Sequence, residues 1–145
     1  MTAAENPEGT ASQESAGPEL LGPRITAGLL SRLAARAAVA DGRDQVPIEM
    51  PATGKILGRV PHGTAEDVAG AAEAARGAQP GWARMDVADR AKVLLRFAEL
   101  LLGRQDEVLD LIQLENGKAR RHAFEEIIDV AQTSRYYART APLRA

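Results

Sequence analysis

His122, Glu125 and Glu126 are the residues whose types and spacing come closest to a chemical site. Residues three and four apart share a helix face, so the imidazole would sit beside a carboxylate at acid–base or metal-ligand spacing. A zinc or iron centre needs three or four ligands, and the other histidine, His62, falls in a predicted loop. The cluster therefore reads as helix-surface pairing, Arg121 to Glu125 and His122 to Glu126, each four residues apart. Lys118, Arg120 and Arg121 form a basic patch at the same helix start, where a phosphate or carboxylate could be received. Neighbouring glutamates neutralise that patch, and Lys118 suits the carboxyl end of the preceding helix, which favours a structural role.

Other motifs fail on inspection. Thr53-Gly54-Lys55 and Asn116-Gly117-Lys118 each resemble part of a phosphate-binding loop, but neither has a glycine five residues earlier, and neither lysine precedes Ser or Thr. They read as turns or caps. No G-x-G-x-x-G fingerprint and no G-x-S-x-G elbow occurs. The carboxylate pairs Glu125-Glu126 and Asp86-Asp89 have basic neighbours, as solvated helix faces do. The 145 residues contain no cysteine, which excludes a thiolate nucleophile, a disulfide framework and a thiolate metal site within them. No catalytic, cofactor-binding or metal-ligating residue is assigned.

The elements that must position these residues follow from caps and periodicity. Residues 1–24, rich in Ala, Glu, Ser, Gly and Pro, predict a disordered tail. Thr26 caps a helix carrying Leu29, Leu30, Leu33, Ala37 and Ala40 on one face, which Gly42 ends. Val46, Ile48 and Met50 alternate in a strand that Pro47 marks as an edge, and the turn Pro51–Lys55 leads to a second strand, Ile56 to Val60. Gly54 supplies the positive φ that such a hairpin loop needs.

Thr64 to Asp67 open a further helix with a capping-box pattern. Its expected buried stripe is Val68, Ala71, Ala72 and Ala75, and Gly77 with Pro80-Gly81 should end it. Asp86 or a neighbour starts the next helix, with Val93, Leu94, Phe97, Leu100 and Leu101 at helical spacing. Gly103 interrupts the pattern, Val108 to Ile112 resume it, and Asn116-Gly117 stop it. The last helix carries Ala123, Ile127, Val130, Ala131 and Ser134, widened by Phe124 and Ile128, until Pro142. The expected fold class is thus α+β and helix-dominated, with about five helices and one β-hairpin.

Composition narrows the function classes. The formal charge of −2 offers no field for nucleic acid or anionic lipid. No apolar run approaches the roughly 20 residues of a membrane span, and the amino terminus lacks the order of a secretory signal, so the expected location is cytoplasmic. Much of the apolar content is alanine, and the aromatics are Trp82, Phe97, Phe124, Tyr136 and Tyr137. Such side chains suit close helix packing better than a thick independent core.

Five blocks in register carry a family resemblance. They are Pro51-Ala52-Thr53-Gly54-Lys55-Ile56-Leu57-Gly58-Arg59-Val60-Pro61, Gly63 to Val68, Trp82, Arg90-Ala91 through Leu95, and Leu114-Glu115-Asn116-Gly117-Lys118. Together they resemble the amino-terminal portion of the aldehyde dehydrogenase superfamily. Gly117 to Arg120, Glu125 to Ile127 and Tyr136 to Arg139 look most like its succinate-semialdehyde dehydrogenase branch. The resemblance runs from about Val46 to Arg139.

It implies that residues 25–145 are the helical and hairpin part of a cofactor-binding domain, lacking the Rossmann-like sheet. It also implies oxidation of an aldehyde to an acid with NAD or NADP in the full-length protein, through a cysteine nucleophile further along the polypeptide. The chain alone is then expected to be inactive, to bind no cofactor, and to pair with the missing carboxyl-terminal part. Two other readings stand beside this one. One is a non-catalytic interaction module that pairs with a full-length homologue; the other is an independent enzyme using His122, Glu125 and Glu126.

Overall fold

Thr26 is extended and its Oγ1 accepts the Leu29 N–H at 3.1 Å, which starts helix α1 (Ala27–Ala34) where the cap predicts. The helix is shorter than its apolar spacing implies. The computed structural model describes residues 23–143, so the expected disordered tail lies outside the described residues except for Pro23 and Arg24. Past Leu33 the stripe is alanine alone, which offers little burial to hold another turn. The backbone leaves the helix through tight bonds from Arg36 to Leu33 and from Ala37 to Ala34. Ala40 donates instead to the Asp67 carboxylate at 3.0 Å, and Gly42 turns the chain at φ +77°.

Strands β1 (Gln45–Glu49) and β2 (Ile56–Pro61) pair antiparallel, with Val46 opposite Val60 and Ile48 opposite Gly58. Pro47 sits in a strand that pairs on one side, so its missing N–H leaves no ladder bond unmade. The loop closes as Met50 donates to Lys55 and accepts from Gly54, whose φ is +68°. A lone hairpin is marginal in water. This one rests on α1 through a core of Ile25, Leu29, Met50 and Leu57.

Helix α2 (Ala65–Arg84) begins with the expected capping box between Thr64 and Asp67. It does not end at Gly77 or Pro80 but runs through both to Arg84. Gly77 costs about 1 kcal/mol relative to alanine and Pro80 cannot donate a bond. The surrounding alanines, the strongest helix formers, offset these penalties. The stripe expected to be buried is not: no α2 residue is buried, and Val68 is 68% exposed.

Asp86 Oδ1 accepts from Ala88 at 2.7 Å and starts helix α3 (Val87–Gly103), as expected. A one-residue junction at Arg104 leads to α4 (Gln105–Asn116). Gly117, left-handed at φ +72°, closes α4 and donates to Gln113. Helix α5 (Arg120–Thr140) follows and passes into a 3-10 turn, Ala141–Leu143, that contains Pro142.

Helix α3 corrects the sequence reading most. Its buried residues are Ala91 and Ala98, seven apart, while Val93, Leu94, Phe97 and Leu100 are exposed and only Leu101 of the expected stripe packs inward. The partner helix α5 explains this, because it too buries small residues, Ala123, Ala131 and Ala138, together with Ile127. Small side chains on both helices allow a close approach that larger ones would prevent. On α5 the expected Val130 and Phe124 are likewise exposed. A second core, Leu109, Ala123 and Ile127 with Leu101, Leu102, Val108 and Ile112 around it, joins α3, α4 and α5. Leu111 and Leu114 carry α4 against the hairpin core. The described residues thus comprise five α-helices and one hairpin, as the patterning predicts.

Candidate functional site

The residues at the start of α5 form a surface chain of polar contacts. Arg121 Nε donates to His122 Nε2 at 3.1 Å, and His122 Nδ1 lies 3.3 Å from Glu125 Oε2. That arrangement places the proton of the neutral ring on Nδ1. The expected pairs four residues apart do not form. His122 takes Glu125 one position nearer, and Glu126 is held by Lys118, whose long side chain reaches forward from before the helix. Lys118 is therefore not spent on the end of α4, where the αL glycine makes the cap. His62, in the segment after β2, joins none of these contacts. Among the described residues, no group of three or more His, Cys, Asp or Glu is placed to hold a metal ion.

Arg120 of the basic patch turns toward α4. Its Nη1 donates to Asp110 Oδ1 at 2.6 Å and to Gln113 Oε1 at 3.0 Å, and its Nη2 to Asp106 Oδ1 at 2.7 Å. Arg24 completes the cluster, with Nη1 3.0 Å from Asp110 Oδ2. Burial pushes the Asp110 carboxyl up, but the hydrogen bonds from Arg120 and Arg24 outweigh it and hold the group below its ordinary range. Sequence reasoning missed these acidic partners. A signal was present, since Asp106, Asp110 and Gln113 follow helical spacing on one α4 face.

Asp67 is the most enclosed ion-pair partner among the described residues, with a side chain 6% exposed. It accepts from Arg43 Nε at 2.8 Å and Nη2 at 2.9 Å, from the Ala40 N–H at 3.0 Å, and from Thr64 through N–H at 2.8 Å and Oγ1 at 3.0 Å. The Arg43 bonds, then those from the Thr64 and Ala40 backbones, hold its carboxyl far below the ordinary range. A carboxylate so fully bonded is a poor general base. It anchors the first turn of α2 to the segment between α1 and β1.

A groove of about 240 Å³ runs between α1 and β2, lined by Leu30, Leu33, Ile48, Leu57, Val60 and Leu111. Its walls are mainly aliphatic, with Arg59 and Glu115 as the charged residues among them. A larger groove beside it, about 610 Å³, is lined by Arg43, whose guanidinium is already committed to Asp67. A dinucleotide needs the crevice at the carboxyl ends of parallel strands and a helix start beyond a glycine turn. Among the described residues the only sheet is the antiparallel hairpin, so these residues do not fit that group.

The remaining surface feature is apolar. Val93, Leu94, Phe97 and Leu100 on α3, Val68 and Trp82 on α2, and Tyr136 and Tyr137 on α5 are all large and exposed. Among the described residues no helix is long and apolar enough to cross a membrane.

Comparison with known proteins matches residues 38–144 to the family described as aldehyde dehydrogenase. A protein of Mycolicibacterium smegmatis named "Putative succinate-semialdehyde dehydrogenase (NADP(+))" is 46% identical over 121 residues, 82% of this chain and 23% of that protein. A malonate-semialdehyde dehydrogenase of Lacticaseibacillus casei is 43% identical over 77 residues, 53% of this chain and 16% of its own length. Among solved structures, HpcC from Thermus thermophilus superposes with a TM-score of 0.70 at 27% identity, covering 86% of this chain and 25% of that one. Aldehyde dehydrogenase 21 from Physcomitrella patens, solved with the reaction product succinate, gives 0.66 at 26% identity over 70% of this chain and 21% of its own. The chain spans about a quarter of the length of these relatives from Mycolicibacterium smegmatis and Thermus thermophilus.

Proposed function

Because this chain belongs to the aldehyde dehydrogenase family, we propose that it supplies the amino-terminal scaffold of an NADP-dependent semialdehyde dehydrogenase, with succinate semialdehyde as substrate. The observation that carries this reading is the pairing of family sequence with an uncovered apolar surface and no nucleophile. Oxidation of an aldehyde by this route needs a thiolate, a base for the attacking water and an oxyanion donor. These 145 residues hold no cysteine. A nicotinamide cofactor bound to the whole enzyme would supply the hydride acceptor for this oxidation. The residues present here hold geometry: Asp67 fixes the start of α2, the Arg120 cluster fixes α5 to α4, and the alanine seam sets the distance between α3 and α5.

The relatives' names support a semialdehyde, and both the succinate and the malonate compound pair an aldehyde with a carboxylate. Purified chain mixed with succinate semialdehyde and NADP should form no NADPH. A chimera in which this chain replaces the matching stretch of the Mycolicibacterium smegmatis relative should form it. NADPH production by the chain alone, or a folded chimera without activity, overturns the scaffold assignment.

A second reading, supported by the same exposed α3 and α5 side chains, is an interaction module that pairs with a full-length homologue. It predicts co-purification with that relative at a fixed ratio. Separate elution of the two removes it.

A further inference from the structure

Arg90 stands near the start of α3, and its Nε is withdrawn from solvent with no hydrogen-bond acceptor among the described residues. A polar atom in that condition is costly, and native structures keep such atoms paired. The acids nearest in sequence are engaged elsewhere. Asp86 caps Ala88, Asp89 takes Lys92 at 2.6 Å, and Glu99 takes Arg96 at 3.3 Å. Arg90 also shares a helix face with Leu94, Phe97 and Leu101, at steps of four, three and four residues. Leu94 and Phe97 are exposed. An unanswered donor thus sits at one end of a stripe that flanks the alanine seam between α3 and α5, and in this stripe Leu94 and Phe97 are uncovered while Leu101 packs inward.

We infer that this face of α3 is the docking surface for another segment of the same dehydrogenase polypeptide, an apolar one carrying a carboxylate that pairs side-on with Arg90. The inference rests on the function proposed above and adds the chemistry of the contact. Charge complementarity selects the carboxylate, because a guanidinium taken out of water requires a charged acceptor more than a neutral one. The geometry has a precedent within the chain: Arg43 presents Nε and Nη2 together to the single carboxylate of Asp67. The stripe of Leu94 and Phe97 supplies the apolar part, and the matched relatives, about four times longer, supply the chain to cover it.

The test compares Arg90→Met and Arg90→Lys in two settings, the 145-residue chain and the chimera with the Mycolicibacterium smegmatis relative. In the chain alone, Arg90→Met should leave the urea midpoint unchanged or raise it, since Nε has no partner to lose. In the chimera it should lower the melting temperature by about 3–5 °C. Arg90→Lys keeps the charge without the fork, and should recover only part of that loss. Equal losses in both settings would place the partner of Arg90 inside the chain and overturn the inference. An active chimera indifferent to Arg90→Met overturns it while leaving the proposed function intact. A chimera that melts cooperatively without activity removes the proposed function, and Arg90 is then judged on the melt alone. Failure of the unsubstituted chimera to assemble overturns both.

Discussion

Two adjacent residues of α3 make opposite predictions under the pattern of the sequence and the packing of the structure. Phe97 lies at helical spacing with Val93, Leu94, Leu100 and Leu101, and a core phenylalanine truncated to alanine costs about 3–5 kcal/mol. In the fold Phe97 is 48% exposed, whereas Ala98 is 0% exposed. Full burial of such a ring is worth roughly 1.5–3 kcal/mol, so with about half of its surface still in water Phe97→Ala should cost about 1 kcal/mol. Ala98→Leu adds three carbons to a seam where both helices bury mainly alanine, and overpacking of this kind costs about 1–3 kcal/mol. The change in helix propensity between the two residues is too small to matter. Urea titration of the 145-residue chain, followed by helical circular dichroism, should give the lower midpoint for Ala98→Leu. A large loss for Phe97→Ala beside a neutral Ala98→Leu would refute the alanine seam. Identical midpoints for both variants and the unsubstituted chain would refute fixed packing between α3 and α5.

Three further substitutions test the anchors. Asp67→Asn should release Arg43 and the Ala40 N–H, and raise amide exchange from Arg36 to Asp44. The folded Asp67 carboxyl titrates below its unfolded value, so its contribution is present above about pH 4 and is lost as pH falls through the folded value. The acid limb of the stability profile should flatten in Asp67→Asn, and an unchanged limb would deny the group its role. Gly117→Ala forces a side chain to φ +72° and should cost about 1 kcal/mol, although the added Cβ would meet Pro51 only at an ordinary 3.6 Å. Gly77→Ala, in mid-helix with nothing within 4 Å of the added Cβ, should stabilise by up to about 1 kcal/mol. The two glycine variants must move the urea midpoint in opposite directions if backbone conformation decides both.

Helix starts and turns were legible because their causes are local. Thr26, Thr64 and Asp86 cap with their own side chains, and Gly54 and Gly117 take the positive φ that their turns require. The hairpin itself followed from alternation and a single turn, but the register shift between Ile48 and Glu49 did not. Boundaries failed where a distant partner or a long propensity sum decides. Ala40 leaves the α1 pattern to donate to Asp67, 27 positions away, and α2 passes through Pro80 on the strength of its alanines. The site cluster was invisible for the same reason. Arg24 meets Asp110 across 86 positions, and nothing local marks that pair. The absence of a thiolate nucleophile needed no structure, since a missing residue type is a property of the sequence itself.

The errors about burial have one direction, and that direction carries information. Periodicity correctly located an apolar face on α3, but it cannot specify which surface covers that face. Helix α3 has two candidate faces, one of alanines and one of Val93, Leu94, Phe97 and Leu100. The described residues use the first, because α5 offers small residues in return. If the larger face had been needed for the fold of these residues, α5 would carry complementary volume there; instead it turns Phe124 and Val130 outward as well. Burying about four such side chains would contribute several kcal/mol, comparable to the whole net stability of a small domain. Under the docking proposed above, the exposed Leu94 and Phe97 and the unanswered Arg90 Nε belong to one and the same contact.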